Sequence, residues 1–289
     1  MEMLTKRFWK KRIAKSLPDF VKTPIKRRLM GYRPSSVGFD LSFAADEDNY
    51  LIATIDQTLR LKIPKHLQSF VQHAFMDNAD CIEEMYGFIS VAKDQKAKTL
   101  FDVGAQHGLL SLIFCSCKKD NRAIAYEPVP NLSQAMESLF QKNNCADRVM
   151  IQNCAIGHRE GELDLYLQED YGFVQICPSD QTCKTVKVKV TTVDEECARF
   201  GIYPDVLKID VEGYEYEVLC GSERLLKNNK PTICLELHLD YLEQRGINPK
   251  SIFDLLEKCG YRFFSGTGHE LNPRAIYDTV KSLFRFVAK

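Results

Sequence analysis

Acidic, amide and imidazole side chains recur in this chain at the ends of short apolar runs, where chemistry could be done. These ends are Asp102 with Gly104, Glu127 with Pro128, Asn153-Cys154-Ala155, Asp210-Val211-Glu212, and Glu236-Leu237-His238. A charged group at the tip of an apolar strand is costly to bury unless it is paired or bound. In an open α/β sheet, ligands sit beyond the carboxyl ends of the strands. The succession of tips therefore reads as one ligand crevice. The first tip runs Phe101-Asp102-Val103-Gly104-Ala105-Gln106-His107-Gly108 and opens into an apolar helix at Leu109. Gly104 and Gly108 admit φ > 0 and a close backbone approach, and the helix start aims free N–H groups at the same crevice. The G-x-x-x-G spacing is neither a dinucleotide fingerprint nor a Walker loop. Glu127 lies at the tip of the next strand, where a carboxylate accepts hydrogen bonds from a ribose diol. Glu236 and His238 stand two apart on a strand, hence on one face, and an imidazole exchanges a proton near neutral pH.

The elements that position these groups follow from periodicity. Strands are expected at Thr99–Val103, Arg122–Pro128, Val149–Cys154, Val206–Gly213, Pro231–His238, Tyr261–Phe264 and Ser282–Val287. Helices are expected between them, at Leu109–Cys117, from Pro130 to Asn143, at Asp194–Phe200, as one run over Glu215–Leu226, and at Pro249–Cys259. Strand and helix alternate, which calls for an open, mostly parallel sheet with helices on both faces. Leu163–Leu167 and Thr185–Val190 alternate cleanly and read as an antiparallel insertion. Before the first main strand, Tyr50–Ile63 reads as a strand pair turning near Asp56-Gln57. His66–Met76 and Asp80–Ala92 read as helices capping the sheet.

The 289 residues are 45% hydrophobic and 27% charged, ordinary values for a globular protein. The net charge of zero hides an uneven distribution. Residues 1–33 hold eleven Lys/Arg against Glu2 and Asp19, a net of +9, which leaves −9 on the rest. This head interleaves Leu4, Phe8, Trp9 and Ile13 with its basic residues, and Pro18 and Pro24 break it. Three uses compete for it: a solvated arm packed on the domain, a peripheral contact with an anionic membrane surface, and, least favoured, nucleic acid. Gly31–Gly38 reads as a linker. Eleven scattered cysteines, an odd number, suggest reduced thiols in a cytoplasmic setting, most of them acting as small buried hydrophobes. No run approaches the roughly 20 apolar residues of a membrane-spanning helix.

Together the motifs resemble the FkbM family of S-adenosylmethionine-dependent methyltransferases, from about Lys98 to His238 and more loosely to the C-terminus. The strings that carry the resemblance are Phe101–Gly108, Ala125-Tyr126-Glu127-Pro128, Ala155-Ile156-Gly157, Leu207-Lys208-Ile209-Asp210-Val211-Glu212-Gly213 with Glu215, and Glu236-Leu237-His238. The family usually has Asn after Gly-Ala; here Gln106 keeps the amide on a longer arm. The resemblance implies a Rossmann-like class I methyltransferase of the α/β class. Its seven-stranded, mostly parallel sheet has helices on both faces and an antiparallel last strand. With it goes a division into a basic segment (1–33), an N-terminal helical/hairpin cap (34–95) and a cofactor-binding domain (96–289). It implies S-adenosyl-L-methionine held by Asp102, Gly104, Ala105, Gln106, Gly108, Ser111, Glu127, Pro128, Asn153, Cys154, Ala155 and Asp210. It also implies O-methylation of a hydroxyl on a sugar, glycan or small natural product. Asp210 is then expected nearest the methyl group, with His238 as base or orienter and Glu212 and Glu236 as further candidate bases. His107 is expected along the cofactor or in solvent. No metal is assigned; magnesium held by Asp210, Glu212 and Glu236 is the alternative. The competing functions are a macromolecule methyltransferase docked by the basic head and a non-catalytic cofactor-binding module.

Overall fold

A computed structural model of the chain describes residues 38–46, 49–77, 79–167, 174–175, 184–273, 276 and 283–289. The basic segment 1–33 and most of the expected linker fall outside the described residues. The described chain opens with an antiparallel three-stranded sheet, β1 (Leu41–Ala45), β2 (Tyr50–Ile55) and β3 (Leu59–Pro64). The β2–β3 pair is the expected hairpin. β1 escapes the sequence reading because its Leu-Ser-Phe-Ala-Ala is short and only half buried. The expected helix over His66–Met76 is irregular, passing through 3-10, α and π turns between Lys65 and Asp77. Helix α1 (Ala79–Lys93) follows.

Next come β4 (Thr99–Val103), helix α2 (Leu109–Cys117), β5 (Arg122–Tyr126), helix α3 (Pro130–Lys142) and β6 (Val149–Gln152). A smaller sheet is built from β7 (Ala155–Ile156), β8 (Gly161–Leu167), β9 (Val174–Gln175) and β10 (Lys184–Thr191). Its β8–β10 pair is the expected antiparallel insertion. Helix α4 (Val193–Phe200) leads into β11 (Val206–Ile209). The single helix expected over Glu215–Leu226 is in fact two, α5 (Glu215–Cys220) and α6 (Glu223–Asn228). Gly221 breaks it by packing so close to the Gly157 carbonyl that a Cβ would lie 2.0 Å from that oxygen. Then follow β12 (Thr232–His238), α7 (Leu239–Gln244), α8 (Lys250–Lys258), β13 (Phe263–Phe264), β14 (Glu270–Leu271) and β15 (Leu283–Ala288).

The main sheet has the order β14-β13-β15-β12-β11-β4-β5-β6. β6, β5, β4, β11 and β12 are parallel neighbours, and β15 runs antiparallel between β12 and β13. These are the seven strands the resemblance implies, with the antiparallel member last in the chain; the two-residue β14 adds an eighth. The central strands are buried on both faces, so they read as unbroken apolar runs. One face packs Phe101, Leu207, Ile233 and Phe286 against Val218, Leu225 and Phe253. The other packs Leu100, Ala123 and Val287 against α1, α2, α3 and the three-stranded sheet, whose Ala53, Leu61 and Ile63 share a core with Leu112 and Phe140.

Register decides the polar chemistry. On the α1 face, Lys208 stands opposite Asp102 on one side and Cys234 on the other, and Glu236 stands opposite Arg285. Near the carboxyl ends of the strands that face therefore carries a band of charge. Nine cysteines lie among the described residues; all are free thiols, and Cys81, Cys115, Cys145, Cys197 and Cys259 are buried. Among the described residues no helix is long and apolar enough to cross a membrane.

Candidate functional site

Where β4 ends, the chain turns through Gly104 at φ +80. A Cβ there would fall 1.7 Å from the Asp210 carbonyl oxygen, so only glycine lets this turn lie against the exit of β11. The N–H groups of Gly104 and Ala105 both donate to the Tyr126 carbonyl at 3.1 Å, fixing the turn to β5. Gly108, at φ +77, caps α2 and leaves no room for a Cβ beside Phe140 and Met136. Asp102 is fully buried, and its Oδ2 accepts from Ser111 N–H at 3.1 Å and from Ser111 Oγ at 2.7 Å. It thus holds the first turn of α2. Asp102, Gly108 and Ser111 brace the loop from behind and do not line the cleft in front of it.

That cleft opens at the strand tips. Of the expected cofactor residues, Gly104, Gln106, Glu127, Pro128, Cys154, Ala155 and Asp210 line it, joined by Glu212. Ala105 contributes its backbone to the turn. Asn153 stands behind the wall, donating from Nδ2 to the Glu127 carbonyl at 3.0 Å and to Ser133 Oγ at 2.8 Å. Glu127 is 5% exposed; its Oε2 accepts from Gln106 N–H and its Oε1 from Val129 N–H, each at 2.9 Å. Burial pushes this carboxyl up to about 7 against the pull of those two amides. Each oxygen keeps a lone pair for a ligand hydroxyl. The sequence reading missed the apolar walls, Leu132, Ile156, Leu163 and Leu165. Two of them arrive from β8, whose alternation signalled a strand but not what it would face. His107 lies neither along this cleft nor in open solvent. Its ring packs on Phe70 at 5.4 Å, and burial, with His66 nearby, lowers its pKa.

Beyond Asp210 the charges interlock. Lys208 Nζ lies 3.3 Å from Asp210 Oδ2, 3.7 Å from Asp102 Oδ1 and 3.2 Å from the Gly104 carbonyl, which it donates to. Burial opposes a charged lysine, but Asp210 and Asp102 keep its pKa raised. Burial would likewise raise Asp210; Lys208, then His238 and Arg285, hold it low. The Asp210-Val211-Glu212-Gly213 turn carries Glu212 at φ +51, a conformation a non-glycine residue holds only under local strain. Burial pushes Glu212 up to about 7.

His238 is gripped from both sides. Its Nδ1 lies 2.8 Å from Glu215 Oε1 and its Nε2 3.1 Å from Glu212 Oε2, and the ring stacks on Tyr241 with centroids 5.6 Å apart. Burial works against its charge, but the Glu215 hydrogen bond and the fields of Asp210 and Glu212 prevail and push it up to about 10. That favours the imidazolium at neutral pH, the form with no lone pair free to take a proton. Glu236 is raised by burial and Asp210, and its Oε1 accepts from Arg285 Nη2 at 2.7 Å. The same guanidinium reaches Glu84 Oε2 on α1, 2.7 Å from Nε. Burial, with Glu236 close by, pushes Glu84 up to about 8. Glu84, Glu215 and Arg285 were not assigned from sequence; no local spacing announces a partner on a distant element.

Asp210, Glu236 and His238 bring donor atoms within 4.8 Å of one another, a set that could be tested for a divalent ion. It fits one poorly. Lys208 already pairs with Asp210, Arg285 with Glu236, and the imidazole is itself charged.

A family model described as the methyltransferase FkbM domain matches residues 102–263. No curated protein matches the chain. Among solved structures the chain is similar to a methyltransferase FkbM from Methylobacillus flagellatus KT, at 18% identity and TM-score 0.42 over 66% of this chain. It spans 44% of that protein's length. A precorrin-6y C5,15-methyltransferase from Geobacter metallireducens GS-15 gives 15% identity and TM-score 0.41, over 70% of this chain and 85% of that one. An O-methyltransferase from Bacillus cereus in complex with SAH gives 9% and 0.38, over 72% and 80%.

Proposed function

The chain belongs to the FkbM methyltransferase family and has the Rossmann-like class I methyltransferase fold, and from that premise we propose that it is an S-adenosylmethionine-dependent O-methyltransferase. Its acceptor is a hydroxyl on a sugar, a glycan or a small natural product. The observation that carries the reading is the cleft at the strand tips, with Glu127 at one end and Asp210 and Glu212 at the other. The residues fit the cofactor. Glu127 is placed for a ribose diol, β8 supplies an apolar wall for a base, and the carboxylates at the far end outnumber the cations beside them. When bound, S-adenosylmethionine supplies a methyl group on a positively charged sulfur, with a neutral thioether as the leaving group.

The protein then has two tasks, to align the acceptor oxygen and to take its proton. Glu212 suits the second: it lines the cleft and is pushed up to about 7, close to working pH. The hydroxyl proton passes to its carboxylate as the new O–C bond forms. His238, held charged by its Glu215 contact, stands with Nε2 3.1 Å from Glu212 Oε2 as an ion-pair partner that orients that base. Asp210, held ionised by Lys208, would offer a fixed negative charge to the positively charged sulfur. Calorimetry with S-adenosylmethionine, followed by a methyl-transfer assay on a panel of hydroxylated acceptors, tests the proposal. Absence of heat at millimolar cofactor would end it.

A further inference from the structure

We propose that Arg245, at the C-terminal end of α7, is a positioning residue for methyl transfer and holds the turn that presents Glu212 to the cofactor cleft. The inference rests on the methyltransferase reading. Glu212 lines the cleft at φ +51, and Gly213 follows it at φ +96. A non-glycine residue stays in that region only where its surroundings hold it. On this turn the hold comes largely from side chains outside it.

Three observations carry the assignment. First, the peptide groups on both sides of Gly213 are pinned. Its N–H donates to Glu215 Oε1 at 2.9 Å, and its carbonyl accepts from Arg245 Nη1. The first bond fixes the peptide that leaves Glu212. The second fixes the peptide that enters Tyr214, whose N–H closes the turn on the Val211 carbonyl at 3.3 Å. Second, Arg245 is itself held. The Glu217 carboxylate on α5 accepts from both Nη atoms, with Nη1 3.2 Å from Oε2. The guanidinium carbon lies 4.6 Å from the centroid of the Tyr214 ring, which lines the cleft beside Glu212. A planar fork can serve a carbonyl, a carboxylate and a ring face at once, and the point charge of a lysine cannot. Third, the clamp and the partner of the Glu212 carboxylate belong to one segment. His238 ends β12 and leads directly into α7, and Tyr241 and Arg245 stand four apart, on one side of that helix. The Tyr241 ring stacks on His238, and a Cβ on Gly213 would lie 2.6 Å from the Tyr241 Cβ. Residues 238–245 therefore set the backbone of Glu212 through Gly213 and its carboxylate through His238 Nε2.

The test compares S-adenosylmethionine with S-adenosylhomocysteine by calorimetry on the full-length protein, since the two differ in the charge on sulfur. With Glu212 no longer presented, Arg245→Ala is expected to bind S-adenosylmethionine about fivefold more weakly and S-adenosylhomocysteine within about twofold of the wild type. Guanidinium chloride at about 20 mM is expected to restore the difference, while sodium chloride at that concentration does not. Arg245→Lys, with the charge and one donor kept, is expected to fall between. Equal weakening of both ligands marks a merely structural residue and overturns the proposal, as does no change in either. Tighter binding of S-adenosylmethionine, the result of deleting a nearby positive charge and nothing more, overturns it too. Amide hydrogen exchange needs no ligand. The Gly213 and Tyr214 amides are expected to be protected in the wild type and to exchange about tenfold faster in Arg245→Ala, with β4 and β5 unchanged. Unprotected rates at those two amides in the wild type overturn the clamp without any variant having to fold, and so does unchanged exchange in Arg245→Ala. Should neither ligand bind the wild type, the cofactor reading fails, while the exchange rates still judge the clamp.

Discussion

Glu127 and Glu236 both end apolar strands of the same sheet, and the protein satisfies them in opposite ways. Glu127 is held by two main-chain N–H groups, from Gln106 in the neighbouring loop and from Val129 two residues on. Those donors neither titrate nor change rotamer, so the carboxylate is preorganised with lone pairs to spare. Glu236 is held by Arg285, which reaches across from β15 and is shared with Glu84 on α1. Around it stand Asp210, Lys208, His238, Glu212 and Glu215, each setting the charge of the next. One half of the site is a fixed polar cradle; the other is a coupled ionic network. The first suits recognition of a constant group such as a sugar diol. The second suits steps in which charge or a proton moves.

Breaking the ionic half is expected to have the larger consequences. Arg285→Met leaves Glu84 and Glu236 buried without their shared cation, and a loss of about 3–5 kcal/mol of folding stability is expected from urea unfolding. A loss of only a few tenths would mean that the network does not tie α1 to the sheet. Glu212→Gln retains the shape and removes the proton acceptor, so kcat is expected to drop about a hundredfold. In the wild type the rate is expected to fall as pH drops through about 7, where burial places the proton uptake of the Glu212 carboxylate. The variant should lose that acid limb; a limb that survives assigns the base to another group. The fixed half yields a narrower effect. Glu127→Ala is expected to weaken S-adenosylmethionine binding about thirtyfold, or about 2 kcal/mol by calorimetry, with the unfolding midpoint hardly moved. Equal losses of affinity and stability would blur the distinction between the halves. Smallest of all, EDTA is expected to change activity less than about twofold, because protein cations already occupy the carboxylates a hard metal ion would need.

The same contrast separates what was legible from what was not. Gly104, Gln106, Glu127 and Asp210 announce themselves because they stand at the ends of short apolar runs, and a turn needing φ > 0 leaves its mark locally. The expected one-piece helix over Glu215–Leu226 failed because Gly221 answers to Gly157, a contact no window around it contains. Sequence spacing marks His238 only as an exchangeable imidazole. Its charge depends on Glu215 and Glu212, and only the fold sets those at 2.8 and 3.1 Å. Ser111 and Asp102 share the loop's sequence signal, yet they bond to each other behind the loop.

The sequence by itself determined the alternation of strand and helix, the antiparallel last strand implied by the resemblance, the glycine turn and the acidic tip of β5. These rest on periodicity and on backbone sterics, which act over a few residues. Only the tertiary structure decided which charges meet and that His238 sits between Glu215 and Glu212. Pairing across a sheet and burial by a distant helix set electrostatic energies, and neither is written in local spacing.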